Sequence, residues 1–330
     1  PDSFEMLIAG ENDLLLHTAA AYERRLNWLL PVTNAFRLIH RDEVLHLPFA
    51  VDLFGDWMCV TGFDETVSAQ TLLAQIKPAL KFLSEKYACR GGIIKTNQRN
   101  PHNKKLFGEM AVWGEPPPDV FPVHEHDLNY EISLGNTQHA GLFLDQRDSR
   151  QRLAQVAQGK RVANLFAFTC SFSAVAVKAG AEVAFSVDLA SGCLEQGKKN
   201  FAQNHLTEGG RGKFIQEDVR TWLARQLRQK KNNPNQFVPW DLIVCDPPVF
   251  AATGHGHSFS VSKMWSELAG NVRAILSDTG IALFANNHRG GSDKFYLTGL
   301  TSHFLKVTSL RPPLDFPEVD SRHTHVRIYW

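Results

Sequence analysis

From Arg161 to Ala285 the chain alternates short apolar runs with longer stretches of helical period, and this alternation restricts the available folds more than any other feature. The apolar runs are Arg161–Phe166, Glu182–Val187, Gly212–Gln216, Asp241–Cys245 and Ile281–Ala285. Between them, Ser171–Ala179, Ala190–Asn204, Val219–Lys231 and Ser260–Leu276 read as helices, the last with Gly280 just past its end, and Asp148–Gln158 reads as a helix ahead of the first run. Parallel strands need long crossovers, and an amphipathic helix supplies one while covering the sheet face. A strand covered on both faces is apolar throughout, as Leu242–Cys245 is. The pattern predicts an α/β fold with a mostly parallel sheet.

The fourth run carries the first chemical signal. It cannot extend through Pro247 and Pro248, which have no N–H to give a ladder and hold φ fixed. Asp246 is therefore held at the carboxyl edge of the sheet, ahead of a stiff turn bearing Phe250. Ligands of open α/β sheets bind at that edge. Two further carboxylates follow strands, Asp188 after the second run and Asp218 after the third. Asp188 lies about 20 residues beyond the first turn, where an acid meets ribose hydroxyls in nucleotide-binding folds. A carboxylate accepts from two vicinal hydroxyls at once. The structural alternative for Asp188 is an N-cap; Asp218 suits an N-cap and an adenine contact equally. The first turn, Phe168-Thr-Cys-Ser-Phe-Ser173, has no glycine, so its backbone cannot approach a pyrophosphate closely. This disfavours a nicotinamide dinucleotide and favours a nucleoside cofactor without phosphates, such as S-adenosylmethionine. Cys170 reads as a small residue in place of glycine, since no electropositive neighbour marks it as a nucleophile.

Upstream the pattern changes. Residues 12–30 read as a helix with Leu15, Tyr22, Leu26 and Leu29 on one face and Pro31 as its stop. Phe49–Phe54 and Trp57–Gly62 flank Gly55-Asp56 as a β-hairpin. Ser68–Tyr87 is an amphipathic helix carrying Leu72, Leu73, Ile76, Leu80 and Leu83 and tolerating Pro78; Gly92–Thr96 is a strand. Residues 97–105 form a polar, basic loop, and Glu115–Asp119 is a proline-rich connector. The expected domains are a small α/β domain over 1–128 and a second over 129–330, opening with a strand at Tyr130–Leu134. Phe304–Leu310 and Thr324–Trp330 are expected to close the chain as an antiparallel pair.

The 330 residues fit two domains. The five cysteines, Cys59, Cys89, Cys170, Cys193 and Cys245, lack C-x-x-C spacing, which argues against a disulfide framework or zinc site and for a reducing, cytoplasmic setting. No apolar run is long enough to span a membrane, and the first residues carry no signal pattern. A net charge of +1 confines any nucleic-acid binding to local patches. Arg220, Arg225, Arg228, Lys230 and Lys231 read as a solvated helix face, with an RNA track as the alternative. His255, His257, His323 and His325 have no carboxylate or cysteine to complete a site, so no metal is expected.

Several runs together carry a resemblance: Gly141-Leu-Phe-Leu-Asp-Gln-Arg-Asp-Ser-Arg150, Asn164-Leu-Phe-Ala-Phe-Thr169, Ser186-Val-Asp188, Glu217-Asp218, Cys245-Asp-Pro-Pro-Val-Phe250 and Phe284-Ala-Asn-Asn-His-Arg289. From Leu47 to Trp330 the chain resembles the class I S-adenosylmethionine-dependent 23S rRNA methyltransferases (RlmI/RlmKL-like). The resemblance implies a Rossmann-like, seven-stranded, mostly parallel sheet with an antiparallel last strand, preceded by a small α/β domain that helps grip RNA. It implies that Gly141, Leu142, Asp145, Arg147, Phe166, Phe168, Thr169, Ser171, Asp188, Leu189, Asp218, Val219 and Asp246 line the cofactor. The roughly 45 residues ahead of the match are not expected to hold the RNA-binding domain of the PUA type that opens many relatives, and the glycine-free turn departs from the commoner family loop.

The target base divides the family. C5 of cytosine needs a cysteine thiolate added to C6, supplied in those enzymes after the fifth strand, where this sequence has Asn286-Asn-His-Arg289. Cys245 should face away from Asp246, because strand side chains alternate. N7 of guanine has a free lone pair and no proton to remove, so in-line attack needs only positioning and a suitable field. Phe284-Ala-Asn-Asn-His-Arg289 also resembles the 7-methylguanine branch, and the function this resemblance implies is methyl transfer from S-adenosylmethionine to N7 of a guanine in 23S rRNA or a pre-ribosomal particle. Asp246 and the Pro247 carbonyl hold the base edge, Phe250 stacks on it, Asn286 and Asn287 orient guanine or the loop, and Arg289 meets a phosphate or O6. Turn formation is the structural alternative for Asn286-Asn287, and a solvated charge for Arg289. The rival readings are a 5-methylcytosine rRNA methyltransferase, a non-catalytic RNA-binding assembly factor and, third, a nicotinamide dehydrogenase, in which Asp246-Pro-Pro has no role.

Overall fold

The computed structural model describes residues 2–25, 32–41, 43–45, 47–64, 66–96, 110–135, 139–252, 258–288, 292–317 and 327–330. It divides into two compact units, Pro1–Leu144 with Pro313–Ser321, and Asp145–Pro312 with Arg322–Trp330. Within the first unit, residues 124 and 125 pair with Asn34 and Thr33.

The first unit contains α1 (Asp2–Arg25), β1 (Ala35–Ile39), β2 (Phe49–Phe54), β3 (Trp57–Gly62), α2 (Ala69–Tyr87), β4 (Gly91–Thr96), β5 (Met110–Gly114), β6 (Phe121–Glu125) and β7 (Leu128–Ile132). β1 to β5 form one sheet in chain order, antiparallel except where α2 crosses between the parallel β3 and β4. The β2–β3 turn closes as expected, with Gly55 at φ +61° and Phe54 paired with Trp57. Ser68 caps α2 by accepting from Thr71 N, and Leu72, Ile76, Leu80 and Leu83 are buried while Leu73 is only partly so. The buried stripe of α1 differs from the expected one: Leu14, Thr18, Ala21 and Arg25 are buried, and Leu15 and Tyr22 partly buried. Arg25 turns inward because Glu43 receives its guanidinium at 2.7 and 2.9 Å. Leu26, Leu29, Pro31 and the basic loop over 97–105 lie outside the described residues. β7 is not a strand of the parallel sheet. It pairs antiparallel with β6 in a separate hairpin within the first unit, and Asn34 N donates to His124 O to join that hairpin to the segment before β1. The returning segment is bound there too, Asp315 Oδ2 accepting from Arg37 N and Asp315 O from Arg25 Nη2.

The second unit opens within a 3₁₀ turn (Leu144–Gln146) and continues through α3 (Arg147–Val156), β8 (Arg161–Leu165), α4 (Ser171–Lys178), β9 (Val183–Asp188), α5 (Ser191–Gln203), β10 (Gly212–Gln216), α6 (Val219–Asn232) and β11 (Trp240–Cys245). It ends with β12 (Phe250–Ala252), β13 (Ser258–Ser260), α7 (Val261–Ile275), β14 (Leu276–Asn286), α8 (Asp293–Thr301), β15 (Ser309–Leu310) and β16 (Arg327–Tyr329). The main sheet has seven strands in the order β10-β9-β8-β11-β14-β16-β15, parallel except that β16 runs antiparallel to both neighbours. The expected α/β, Rossmann-like, seven-stranded architecture is the one present. The closing pair is shorter than expected and lies within this sheet, with β16 between β14 and β15. α7 stops at Ile275, and β14 begins at the next residue. Gly280 is therefore a strand residue, where a Cβ would come 3.0 Å from Trp240 O.

The large aromatic core of this unit buries Trp222, Trp240, Trp265 and Phe284 with Ile243, Cys245 and Leu268. Each buried indole shown with a polar partner has its N–H satisfied: Trp240 by Gln226 Oε1 at 3.2 Å and Trp265 by Tyr296 O at 2.9 Å. Among the described residues no helix is long and apolar enough to cross a membrane.

Candidate functional site

The chain runs outward from β8 through β9 to β10, then returns to the other side of β8 at β11. Such a reversal leaves a crevice beyond the carboxyl ends of the two central strands. The turn at 166–170 leaves β8 on one side of it, and Asp246 leaves β11 on the other.

The first turn adopts a glycine-type conformation without glycine. Phe166, Phe168 and Cys170 all have positive φ, at 58°, 48° and 62°. A left-handed residue with a Cβ costs roughly 1–2 kcal/mol, so neighbours must hold the turn in place. Ala167 N donates to Val187 O at 3.1 Å, Phe168 N to Asp188 Oδ2 at 2.8 Å and Cys170 N to Ala167 O at 2.8 Å. Asn200 on α5 donates from Nδ2 to Thr169 O at 3.1 Å. Gly197, one turn earlier on α5, leaves the space that Cys170 fills; a Cβ there would lie 2.4 Å from Cys170 Sγ. Below the turn Asn164, Ser173 and Ser186 form a buried polar chain, with contacts of 3.1 and 2.7 Å. Burial pushes the Cys170 thiol up to about 12, so it is no nucleophile.

Asp188 does not cap a helix. One oxygen takes Phe168 N and the other takes Ala190 N at 2.8 Å, which locks the β9 exit to the β8 turn. A carboxylate offers about four lone-pair sites, so half of its capacity is left for a ligand. Leu189 beside it is 52% exposed, an apolar surface at the edge of the crevice. Asp218 is the N-cap of α6, accepting from Arg220 N and Thr221 N, and the Arg220 guanidinium takes both of its oxygens. Val219 is buried behind it, and Ser171 opens α4 half-buried.

Asp246 is partly buried, and Gln146 Nε2 donates to its Oδ2 at 3.4 Å. Burial and the Asp145 carboxylate together push its carboxyl up to about 7. Asp145 and Arg147 flank Gln146, and Arg147 is buried. Gly141 and Leu142 belong to the first unit, where Gly141 has φ +113° and a Cβ would meet Glu131 O at 2.9 Å. Pro247 is buried, and Pro248 is exposed. The backbone of Phe250 opens β12, paired with Ser260; its side chain and the whole of Arg289 lie outside the described residues, as do His255, His257, His323 and His325.

Cys245 pairs in register with Leu165 and Phe284, so it faces the aromatic core as alternation requires, and it is 0% exposed. Burial and then the Asp246 charge drive its thiol far above the ordinary range. Asn286 shares the Cys245 face, is 0% exposed and accepts from His288 N at 3.3 Å, while its Nδ2 has no hydrogen-bond partner. Asn287 is exposed. Sequence reasoning missed the groups that fix this turn: His288 Nδ1 meets Tyr296 Oη, Arg327 Nη1 donates to His288 O at 2.6 Å, and Arg327 pairs with Asp293. It also missed Asn200, Gly197 and Gln146, which touch the site from elements far away in sequence.

A family model described as S-adenosylmethionine-dependent methyltransferase matches residues 102–327. Among curated proteins, a ribosomal RNA large subunit methyltransferase K/L of Alteromonas mediterranea is 28% identical over 96% of this chain and 44% of its own length. One bearing the same name from Dichelobacter nodosus is 30% identical over 78% of this chain and 34% of its own length. The chain thus spans less than half the length of these relatives. Among solved structures, a protein assigned as a methyltransferase and complexed with SAH superposes with a TM-score of 0.80 at 24% identity, covering 98% of this chain and 80% of its own.

Proposed function

Since the chain belongs to the S-adenosylmethionine-dependent methyltransferase family, we propose that it methylates RNA, at N7 of a guanine in large-subunit rRNA, by direct in-line transfer. The residues at the strand ends fit such a cofactor. Asp188 keeps free acceptor capacity for a ribose diol, and Leu189 offers an exposed apolar flank. When bound, S-adenosylmethionine supplies an electrophilic methyl group on a positively charged sulfur.

The observation that carries the choice of base is the state of the thiols at these strand ends, where burial also pushes half-buried Cys193, near Asp188, up to about 11. Cys170 and Cys245 are each 0% exposed, and burial suppresses both thiolates. C5 methylation of cytosine needs such a thiolate, whereas N7 of guanine attacks with its own lone pair and requires no base. Asp246 in its ionised form accepts from the N–H groups of guanine, and the Pro247 carbonyl adds a second acceptor. Asn286, 0% exposed on the Cys245 face, is assigned to orienting the loop by accepting from His288 N. Asn287, Phe250 and Arg289 are assigned to orienting the base, stacking on it and meeting a phosphate or O6. Gly141, Leu142, Asp145 and Arg147 are assigned to the cofactor side. The large-subunit rRNA names of the two curated relatives support the substrate class, and cytoplasmic RNA is the proposed partner.

The test is transfer of a tritiated methyl group to rRNA from cells lacking the protein, followed by nucleoside mass spectrometry. Labelled 7-methylguanosine is expected. Labelled 5-methylcytidine, or no label in any RNA, refutes the proposal.

A further inference from the structure

Gln146 reaches the strand-end carboxylate from a position that neither charge nor apolar pattern marks. It closes the 3₁₀ turn and occupies the N-cap position of α3, yet its side chain bonds none of the free amides of that helix. Instead it is 2% exposed and donates to Asp246 Oδ2 across 100 positions of chain. Its Oε1 is buried without a hydrogen-bond partner. An unmet buried acceptor and a forgone cap both cost stability, so the side chain is held here at the expense of the helix start.

The chemistry of an amide suits this place. A guanidinium at the same point would fix Asp246 as an anion, whereas a neutral donor orients it and leaves it free to exchange a proton. The groups around Asp246 are consistent with that. From the turn before α3, Asp145 is the charged group acting on it, while Arg147 lies 3.9 Å from Asp148. On its own strand Cys245 is held neutral by burial. The exit of β8 presents Phe166 and Ala167, and that of β14 presents Ala285 and Asn286, with His288 turned to Tyr296.

We propose that Gln146 is the positioning residue of Asp246: its amide fixes the carboxylate's orientation and favours the ionised form, and so sets the pH at which this strand end accepts hydrogen bonds from the target base. The inference rests on Asp246 holding the base, as proposed above.

Two measurements test it on the whole chain. Carbon-13 NMR follows the Asp246 carboxyl through a pH titration without RNA, and the pH dependence of kcat/KM for methyl transfer is recorded alongside. The wild-type midpoint is expected near the value of about 7. Gln146→Met keeps the volume and loses the donor, and the midpoint should rise by roughly one pH unit. Gln146→Glu, isosteric with the native residue, places a third carboxyl in the cluster and should raise it further. The limb of kcat/KM should move with the NMR midpoint in each variant. An unmoved midpoint, with activity lowered evenly at all pH, is the signature of mere packing and overturns the proposal. If Gln146→Met does not fold, Gln146→Glu decides alone. A shifted NMR midpoint in a protein that methylates no RNA leaves the role of Gln146 standing and removes the proposed function instead.

Discussion

Gly197→Ala should damage the cofactor turn from a distance, and Cys170→Gly should repair it. A Cβ on Gly197 would stand 2.4 Å from Cys170 Sγ, 2.9 Å from Cys170 Cβ and 3.3 Å from Thr169 O. Carbon contacts settle near 3.5–4.0 Å, so roughly 1 Å must be found. Rotating Cys170 moves its sulfur but not its Cβ, so the backbone of α5 or of the turn has to yield. Overpacking of this kind costs about 1–3 kcal/mol, while exchanging Gly for Ala inside a helix returns about 1 kcal/mol. The net loss should be about 0–2 kcal/mol, and S-adenosylmethionine should bind up to about tenfold more weakly as Thr169 and Cys170 shift. Cys170→Gly alone gives up a small buried side chain but relieves a left-handed residue, two effects of about 1–2 kcal/mol that nearly cancel. The double variant loses the clash and the strain together and should match or exceed the wild type. Amide hydrogen exchange in α4 and α5, with calorimetric titration of the cofactor, measures all four corners of the cycle. A Gly197→Ala protein stabilised by the full helix propensity, or a coupling below about 0.5 kcal/mol, would falsify this reading of the turn.

Cys245→Ala should leave methyl transfer within about twofold, since direct transfer uses no thiol; loss of several orders of magnitude in a folded variant would restore the cytosine mechanism. Asp188→Asn keeps the shape of the β9 exit but weakens the acceptors for Phe168 N, Ala190 N and a ribose, and calorimetry should show cofactor affinity reduced by about tenfold or more. In the first unit, burial acts to raise the Glu43 carboxyl, but Arg25, His40 N and Arg24 outweigh it and hold it below its ordinary value. A carboxyl depressed by folding stabilises above its unfolded pKa, and that share is lost as pH falls through the folded one. Wild-type stability should therefore decline from about pH 4.5 downward, whereas Glu43→Gln, which strands the buried Arg25, should be about 3 kcal/mol less stable at neutral pH and flatter in acid. An equally steep acid decline in Glu43→Gln would contradict the assignment.

The parallel sheet was legible because fully covered strands are apolar from end to end and prolines and carboxylates mark where they stop. Asp188 and Asp246 followed from the same reasoning, since a charged residue ending an apolar run has few places to go. The pairing of β7 with β6 was not legible, because local alternation shows that a strand exists and says nothing of its partner. The face of α1 was misread for a different reason. Thr18 and Arg25 are buried through hydrogen bonds, and apolar periodicity does not register buried polar groups. Gln146, Gly197 and Asn200 belong to the same class: each matters through one contact with a residue distant in sequence. The absence of glycine from the first turn was plain in the sequence, but its remedy, a glycine on the facing helix, is visible only in three dimensions.

The return of residues 313–321 to the first unit bears on how this chain can be divided. A cut at one linker does not release either unit whole. A fragment ending at Leu144 lacks Asp315, which receives Arg37 N and Arg25, and Phe316, over which the Arg37 guanidinium lies at 4.4 Å. A fragment beginning at Asp145 carries that segment without its seat. Recombination that trades contiguous blocks would break the same contacts, so neither unit can be taken whole from one contiguous stretch of the chain.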